Sequence, residues 1–240
     1  MQHKSRTELV ADEYIRSLYA TVFEHISTYI PHGSAVVVEV GSGTGIGAEF
    51  IHEMILTDLV FDASLDANCQ SEYLPFRSNS VDVLVLKDSF HHIPNVDQFL
   101  REATRVLKDR GRAIIFDPYW GALAQLVYRF LHQEDFTTKT DPWAITSTSP
   151  WDSNQALSFL LLRRHRKEFG RRFPELEPRE LEVLIGPSFL LSGGVSRRTW
   201  ISGRFLSHLL KWEMTQGRWF NPFRFFHIFS LTKMDVEVAT

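Results

Sequence analysis

The sequence has very few cysteines and no excess of basic charge. One cysteine, Cys69, is present in 240 residues. A lone thiol excludes an internal disulfide framework and a cysteine-rich zinc site, so Cys69 is expected to be a buried or half-buried spectator, and no metal is expected. The formal net charge is −3 and the sequence pI is near 6.4. This balance argues against a general nucleic-acid-binding protein, whose binding domain is normally strongly basic.

Long hydrophobic runs are also missing. The N-terminus, MQHKSRTELVADEY, has no apolar segment of signal-peptide length. No later run reaches the roughly 18 to 20 apolar residues that cross a bilayer as a helix. We therefore expect a cytoplasmic protein. With 44% hydrophobic residues the chain can bury a full core, and we predict a single domain over residues 1–240.

Apolar runs and helical periodicity alternate along the first half of the chain. Residues 7–30 have amphipathic helical spacing with Thr7 as the cap, which predicts an N-terminal helix within residues 1–33. Short helical segments are predicted at 45–53 and 97–108. Strand-like runs follow one another at 35–40, 54–58, 63–67, 81–87 and 113–117. Strands that alternate with helices indicate a doubly wound, mostly parallel sheet with helices on both faces.

The composition changes after Pro118. Residues 119–225 contain all six tryptophans and loop-like segments, which predicts a helical, aromatic-rich cap. Two later runs, 182–187 and 226–234, are expected to return as the last strands of the sheet. The predicted organisation is a core over 34–118, a cap with a late strand over 119–225, and a final strand and tail over 226–240.

The stretch VVVEVGSGTG, residues 36–45, places three glycines directly after a buried strand. Glycine has no Cβ, so these positions allow positive φ and let a ligand lie against the backbone. The dinucleotide pattern G-x-G-x-x-G requires glycine or alanine where this sequence has Ile46. A phosphate-binding P-loop requires a Gly-Lys-Ser/Thr ending, which is absent here. Phosphate is therefore a poor candidate ligand.

The remaining pattern, an acid followed by G-x-G-x-G, resembles motif I of the class I S-adenosylmethionine-dependent methyltransferases. Asp58 ends the next strand, where that family has the acid that binds the ribose hydroxyls. LPFRSNSVDVLVLKDSFHHIPNVDQFLREATRVLKDRGRAIIFDP, residues 74–118, is similar to the family's sequence through its fourth and fifth strands. The resemblance implies a Rossmann-like sheet of seven strands, the last one antiparallel, and S-adenosyl-L-methionine as the cofactor.

The resemblance also implies which residues hold the cofactor. Glu39 would bind its methionyl end and Asp58 its ribose, while Asp66 with Ala67 and Asn68 would contact the adenine edge. The spacer before Leu74 is longer than usual, so Gln70 or Glu72 could make that contact instead. The full implied set is Glu39, Gly41, Ser42, Gly43, Thr44, Gly45, Asp58, Leu59, Asp66, Ala67, Asn68, Lys87, Asp88 and Ser89.

Lys87 departs from the family pattern. A cation beside a sulfonium is unfavourable unless it points away or pairs with Asp88. This departure, together with the long spacer after Asp66, motivates an alternative hypothesis of a noncatalytic subunit that keeps the cofactor fold and acts as a partner or regulatory module. A nicotinamide oxidoreductase is a third hypothesis, which Ile46 disfavours.

Candidate catalytic residues follow the fourth and fifth predicted strands. His91 or His92 could remove a proton from an acceptor hydroxyl, because imidazole titrates near neutral pH; otherwise both shape the turn. Asp117 could orient a histidine or bind the acceptor. Tyr119, Trp120, His132, Glu134 and Trp151 are candidates for acceptor binding or for the core of the cap.

We therefore predict methyl transfer to a small-molecule acceptor at a hydroxyl oxygen. Sugar hydroxyls, quinones or isoprenoid lipids, and secondary metabolites all remain open as acceptors. RWFNPFRFFHIF, residues 218–229, combines aromatic and basic residues. Such a stretch is more often a packed strand with its turn than a membrane-surface segment, and both interpretations stay open.

Overall fold

Seven strands form one sheet. A computed structural model describes residues 12–130, 136–144, 153–194 and 200–235. The strands are β1 (Val37–Val40), β2 (Ile55–Asp58), β3 (Ala67–Asn68), β4 (Val81–Lys87), β5 (Leu107–Pro118), β6 (Leu176–Leu184) and β7 (Phe226–Lys233). Their order is β3-β2-β1-β4-β5-β7-β6, and β7 runs antiparallel to both of its neighbours. This arrangement confirms the predicted fold class of a doubly wound sheet with an antiparallel last strand.

Helices connect and cover these strands. The α-helices are α1 (Glu13–Ser27), α2 (Val96–Val106), α3 (Ala122–Phe130), α4 (Leu157–Phe159), α5 (Arg166–Arg172), α6 (Pro187–Ser192) and α7 (Gly203–Met214). Single 3-10 turns occupy Ile46–Glu49, Phe90–His92 and Arg218–Phe223, and a π-helical turn occupies Leu160–Arg164. No helix in the described ranges is both long and apolar enough to cross a bilayer.

The core lies on both faces of the sheet because the central strands are apolar at consecutive positions. On β4, Val83 and Val85 face the side covered by α1, where Val22 is fully buried. Leu84 and Leu86 face the opposite side, against Phe99 of α2. A strand buried on both faces explains why 81–87 appears as a continuous apolar run rather than an alternating one.

Several local predictions are corrected by the structure. The helix predicted at 45–53 is only the short 3-10 turn Ile46–Glu49. The N-terminal helix begins at Glu13, and its cap is Asp12, whose carboxylate accepts the N–H groups of Tyr14 and Ile15, both at 3.1 Å. Thr7, predicted as that cap, lies outside the described residues, as do His132, Glu134 and Trp151.

Candidate functional site

The glycine turn after β1 has the backbone shape that the sequence predicts. Gly41, Gly43 and Gly45 have φ values of 77°, 55° and 69°. A Cβ on Gly41 would lie 2.6 Å from the Ser89 Cβ, so this glycine lets the end of β4 pack against the turn. A Cβ on Gly43 would meet no atom within 4 Å. The backbone at Gly43 therefore borders open space, as a turn that supports a ligand requires.

Asp58 is oriented toward this turn from the end of β2. Its Oδ2 accepts the Gly43 N–H at 2.7 Å, and its Oδ1 accepts the Val60 N–H at 2.8 Å. Each carboxylate oxygen has two lone pairs, so one acceptor site per oxygen is left for further donors. The side chain is thus fixed by backbone groups and still able to accept two hydroxyl hydrogen bonds.

In this structure Asp66 and Asn68, predicted beside the adenine, hydrogen-bond to the backbone of β2 and of the loop that follows it. Asp66 Oδ2 accepts the Leu56 N–H at 2.8 Å. Asn68 Nδ2 donates to the carbonyl oxygens of Asp58 and Leu59, both at 2.8 Å. Glu72 is buried and faces the start of α2, where its Oε1 accepts the Asn95 N–H at 3.4 Å. Asp66 and Asn68 therefore shape the loop in which Leu59 is exposed.

Serine and threonine side chains complete the frame of the turn. The Ser42 hydroxyl donates to the Glu39 carbonyl at 3.2 Å and accepts the Thr57 N–H at 3.1 Å. The Ser89 hydroxyl donates to the Val40 carbonyl at 2.8 Å. Thr44 is half-buried within the turn. These bonds tie the ends of β1, β2 and β4 together around the glycines.

Glu39 is a buried carboxylate within β1. No donor from the described ranges reaches its Oε2, and burial raises its pKa from the ordinary value of 4.5 to about 8, against the opposing effects of Lys87 and Ser42. Gly47 makes room for the carboxylate, because a Cβ there would lie 2.7 Å from Glu39 Oε2. A buried acid with an open oxygen is suited to receive a cationic or hydrogen-bond-donating ligand group.

Lys87 satisfies both conditions under which its charge is tolerated. Its Nζ lies 4.2 Å from the centre of the Tyr19 ring, a cation–π contact with helix α1, and 3.9 Å from Asp88 Oδ2. Burial is the largest influence on the Lys87 pKa and lowers it, yet Tyr19, Asp88 and Glu39 together leave the pKa raised. The ammonium is therefore retained, directed at α1, and compensated by neighbouring groups.

The raised pKa of Glu39 predicts a pH-dependent stability. Because the folded chain favours protonated Glu39, the free energy of unfolding should fall as pH rises from about 4.5 to about 8. Glu39→Gln removes this pH dependence, because glutamine does not ionise. At pH 8 the free energy of unfolding of the ligand-free variant should therefore exceed that of the wild type by a few kcal/mol at most, since a tenfold change in proton affinity corresponds to about 1.4 kcal/mol. Urea unfolding of both proteins across this pH range measures the difference.

Glu53→Gln is the matched control, because the Glu53 side chain is 85% exposed. Its stability curve should run parallel to the wild type at every pH. Parallel curves for Glu39→Gln as well would contradict the assignment of a protonated, buried Glu39.

A second polar group lies beyond β4 and β5, on the opposite face of the sheet. His91 Nδ1 and Asp117 Oδ1 are 2.7 Å apart, and both side chains are buried. Burial raises the pKa of Asp117, while His91 opposes the shift and Asp88 adds to it. The His91 and His92 rings are 4.3 Å apart. Of the two histidines, His91 is the one bonded to Asp117, and this pairing orients its ring.

His227, which the sequence does not single out, lies directly across from Asp117. The two residues are paired positions on β5 and β7, so their side chains project from the same face. His227 is fully buried, and burial lowers its pKa to about 3, which keeps the ring neutral. Within the described part of the chain, Asp117 Oδ2 and both ring nitrogens of His227 have no hydrogen-bond partner.

Two predicted acceptor-binding aromatics surround His227. The Tyr119 ring centre is 5.6 Å and the Trp120 ring centre 4.9 Å from the His227 ring. Both aromatic residues are half-buried, and Arg163 lies over the Trp120 ring at 5.5 Å. The structure thus gathers Asp117, Tyr119 and Trp120 at one edge of the sheet.

The two polar groups meet at the carboxyl end of β4. Asp88 contacts Lys87 on one side and raises the pKa of Asp117 on the other. Asp88 has a φ of 58°, so the chain turns sharply where the two groups adjoin. The described residues contain no cluster of three potential metal ligands.

The groups around the glycine turn fit S-adenosylmethionine. The open space at Gly43, the remaining lone pairs of Asp58 and the open Glu39 oxygen match a nucleoside with a ribose and a cationic amino-acid end. These three features come from adjacent strands, at the sheet edge where open α/β folds bind their ligands.

Comparison with known proteins points in the same direction. Residues 38–115 match the family described as "Methyltransferase domain". A ubiquinone/menaquinone biosynthesis C-methyltransferase from Rhizobium rhizogenes is 39% identical over 92 residues, which cover 38% of this chain and 33% of that protein. The matched segment thus spans about a third of that relative's length.

Solved structures share the fold at low sequence identity. An S-adenosylmethionine-dependent methyltransferase from Thermotoga maritima aligns with a TM-score of 0.52 and 18% identity, covering 91% of this chain and 90% of the other. Geranyl diphosphate C-methyltransferase from Streptomyces coelicolor, solved with Mg²⁺, geranyl-S-thiolodiphosphate and S-adenosyl-L-homocysteine, aligns with a TM-score of 0.51 and 12% identity, covering 95% of this chain and 80% of the other.

Proposed function

We propose, on the premise that residues 38–115 form a class I S-adenosylmethionine-dependent methyltransferase domain, that this chain methylates a hydroxyl-bearing small molecule. The observation that carries the proposal is that the glycine-turn site and the His91–Asp117 pair both lie at the carboxyl ends of neighbouring strands, with Asp88 linking them: it is 3.9 Å from Lys87 and raises the pKa of Asp117. The first site suits the methyl donor and the second a hydroxyl that must lose a proton.

The cofactor would be held by residues of the first three parallel strands. Asp58 would accept the ribose hydroxyls, and Glu39 would face the methionyl ammonium, whose charge stabilises the ionised carboxylate. When bound, S-adenosylmethionine supplies a methyl group on an already activated sulfonium, so the chain does not need a nucleophile of its own. The main contribution of the protein is then to position the acceptor oxygen in line with the methyl group.

His91 is the proposed general base. With Nδ1–H donating a hydrogen bond to Asp117 Oδ1, the imidazole keeps Nε2 as the nitrogen that takes a proton from the acceptor. The buried Asp117 carboxylate then stabilises the imidazolium formed. Neutral His227 beside it adds no competing positive charge. The proton moves from the acceptor hydroxyl to His91, and the deprotonated oxygen takes the methyl group.

The acceptor class is proposed from the rings around this base. Tyr119 and Trp120 are half-buried and adjoin Asp117, which favours a flat, largely apolar acceptor that carries an acidic hydroxyl, such as a phenol or hydroquinone. Such a hydroxyl loses its proton to imidazole far more readily than an aliphatic alcohol does.

Methylation at carbon is a second candidate, and the relative named as a C-methyltransferase favours it. Removing the phenolic proton also makes the adjacent ring carbon nucleophilic. The same His91 step would therefore serve either outcome, and the new bond would form at carbon, which later releases its own proton.

Turnover with a panel of phenols, hydroquinones and sugars tests the proposal. S-adenosyl-L-homocysteine should form only when an acceptor is present, and a donor labelled with ¹³C on its methyl group identifies O- or C-methylation by NMR. Tight cofactor binding without turnover on any acceptor would favour the noncatalytic-subunit hypothesis. Failure of the wild type to bind S-adenosyl-L-homocysteine would overturn both.

A further inference from the structure

Helix α7 has one buried face and one exposed face of unusual composition. Leu206 and Leu210 point into the core. The exposed face repeats at helical spacing through Arg204, Phe205, His208, Lys211 and Trp212. The following 3-10 turn extends this surface with Arg218, Trp219 and Phe223, all exposed. We call the surface formed by Arg204, Phe205, Lys211, Trp212, Arg218, Trp219 and Phe223 the aromatic-basic face.

Three aromatic rings of this face are grouped around one buried ring. Trp212, Trp219 and Phe223 all surround the buried Phe220, with ring centres 5.6, 5.4 and 5.4 Å from it. Their exposed fractions are nevertheless 50%, 66% and 45%. Grouped, exposed aromatic side chains of this kind mark an interaction surface, whereas isolated ones need no explanation.

A buried polar network holds the patch in place. The Arg224 guanidinium donates to the carbonyl oxygens of Val183 at 2.6 Å, Gln216 at 2.6 Å and Glu213 at 3.1 Å. The buried Glu213 carboxylate accepts the N–H groups of Gly186 and Ser188. The turn that carries Trp219 and Phe223 is therefore anchored to both α7 and β6. Its rings are held at the surface by this network rather than by the chance position of a loose loop.

The charge of the face is locally positive although the whole chain has a formal net charge of −3. Arg204, Lys211 and Arg218 are exposed on it, and Glu213 points inward. Glu13, at the rim, lies 3.8 Å from Arg204. Cations interleaved with tryptophan and phenylalanine suit the headgroup region of an anionic bilayer, where the rings enter the interface and the cations meet phosphate. Lys211 is a residue type that protein-binding patches contain less often than the rest of the surface does.

We propose that the aromatic-basic face docks on a bilayer surface that contains anionic phospholipid. Docking would place the acceptor edge of the sheet toward the lipid. Gly121, just after β5, packs so closely on the Arg218–Phe223 turn that a Cβ there would lie 3.0 Å from the Asn221 carbonyl oxygen. Resting on the proposed function, this placement favours an acceptor with an apolar tail that stays in the membrane while its hydroxyl reaches His91.

Vesicle flotation of the full chain tests the docking. The wild type should float with phosphatidylcholine vesicles that contain phosphatidylglycerol, and a smaller fraction should float at high salt. With vesicles of phosphatidylcholine alone it should remain in the bottom fraction. The triple variant Trp212→Ala, Trp219→Ala, Phe223→Ala should bind at least about tenfold more weakly, since the apolar anchors are lost. The variant Arg204→Gln, Lys211→Gln, Arg218→Gln should lose the preference for anionic lipid.

Phe61→Ala is the matched control, because Phe61 is 77% exposed in the loop after β2, away from the face. It should float like the wild type. A melting temperature close to that of the wild type shows that each variant is folded, and vesicle binding itself requires neither cofactor nor turnover, so the two proposals fail separately. No binding to anionic vesicles at low salt, equal binding by the triple variant, or a wild-type dimer that the triple variant converts to a monomer without any vesicle binding would overturn the docking.

Discussion

Asp58→Asn is expected to weaken binding of S-adenosyl-L-homocysteine by about a hundredfold or more, since hydrogen bonds to a charged group contribute roughly 1.5–3 kcal/mol each. Asparagine is close to isosteric and can still accept one backbone N–H, so the glycine turn should keep its shape. The lost interaction is the second acceptor oxygen and its charge. Isothermal titration of the wild type and the variant measures the loss directly.

Asp62→Asn provides the comparison. Asp62 lies in the same loop, and its exposed carboxylate accepts from the N–H and hydroxyl of nearby Ser64. The affinity of the Asp62→Asn variant for S-adenosyl-L-homocysteine should match that of the wild type. Unchanged affinity in Asp58→Asn, with an unchanged melting temperature, would remove Asp58 from the cofactor site and with it the proposed donor geometry.

His91→Gln is expected to lower kcat by about 10²- to 10⁴-fold, the usual contribution of a positioned general base. S-adenosyl-L-homocysteine affinity should stay the same, because Asp58 and the glycine turn are held by bonds to other residues. Asp117→Asn should also lower kcat, because an amide can donate to Nδ1 and so favour the wrong imidazole tautomer. Initial rates on the acceptor found in the turnover screen measure both effects.

His92→Gln separates the two adjacent histidines. Since it is the His91 ring that bonds to Asp117, the His92 variant should lose much less activity. A larger loss in His92→Gln than in His91→Gln would move the base to His92. Equal activity in all three variants would leave the two histidines with the structural role of shaping the turn.

Much of the central sheet could be predicted from local sequence. The run at 81–87 became β4 with the same bounds, and the glycines after β1 have the positive φ that their alternate spacing indicates. The boundaries that failed are those that depend on packing. The 45–53 segment was predicted as a helix, but it forms only the Ile46–Glu49 turn, in which a Cβ on Gly47 would lie 2.6 Å from Met54 Cε and 2.7 Å from Glu39 Oε2.

The sequence by itself determined the succession of strands along the chain, the glycine turn, the acid within β1 and the acid at the end of β2, because these depend on residues close together in the chain. Only the tertiary structure decided that Lys87 turns toward Tyr19, that His227 lies across from Asp117, and that exposed rings gather around Phe220. Each of these contacts joins residues from distant parts of the chain. The pairing of β5 with β7 and the packing of helices on the sheet set such contacts, and both depend on the whole fold rather than on neighbouring residues.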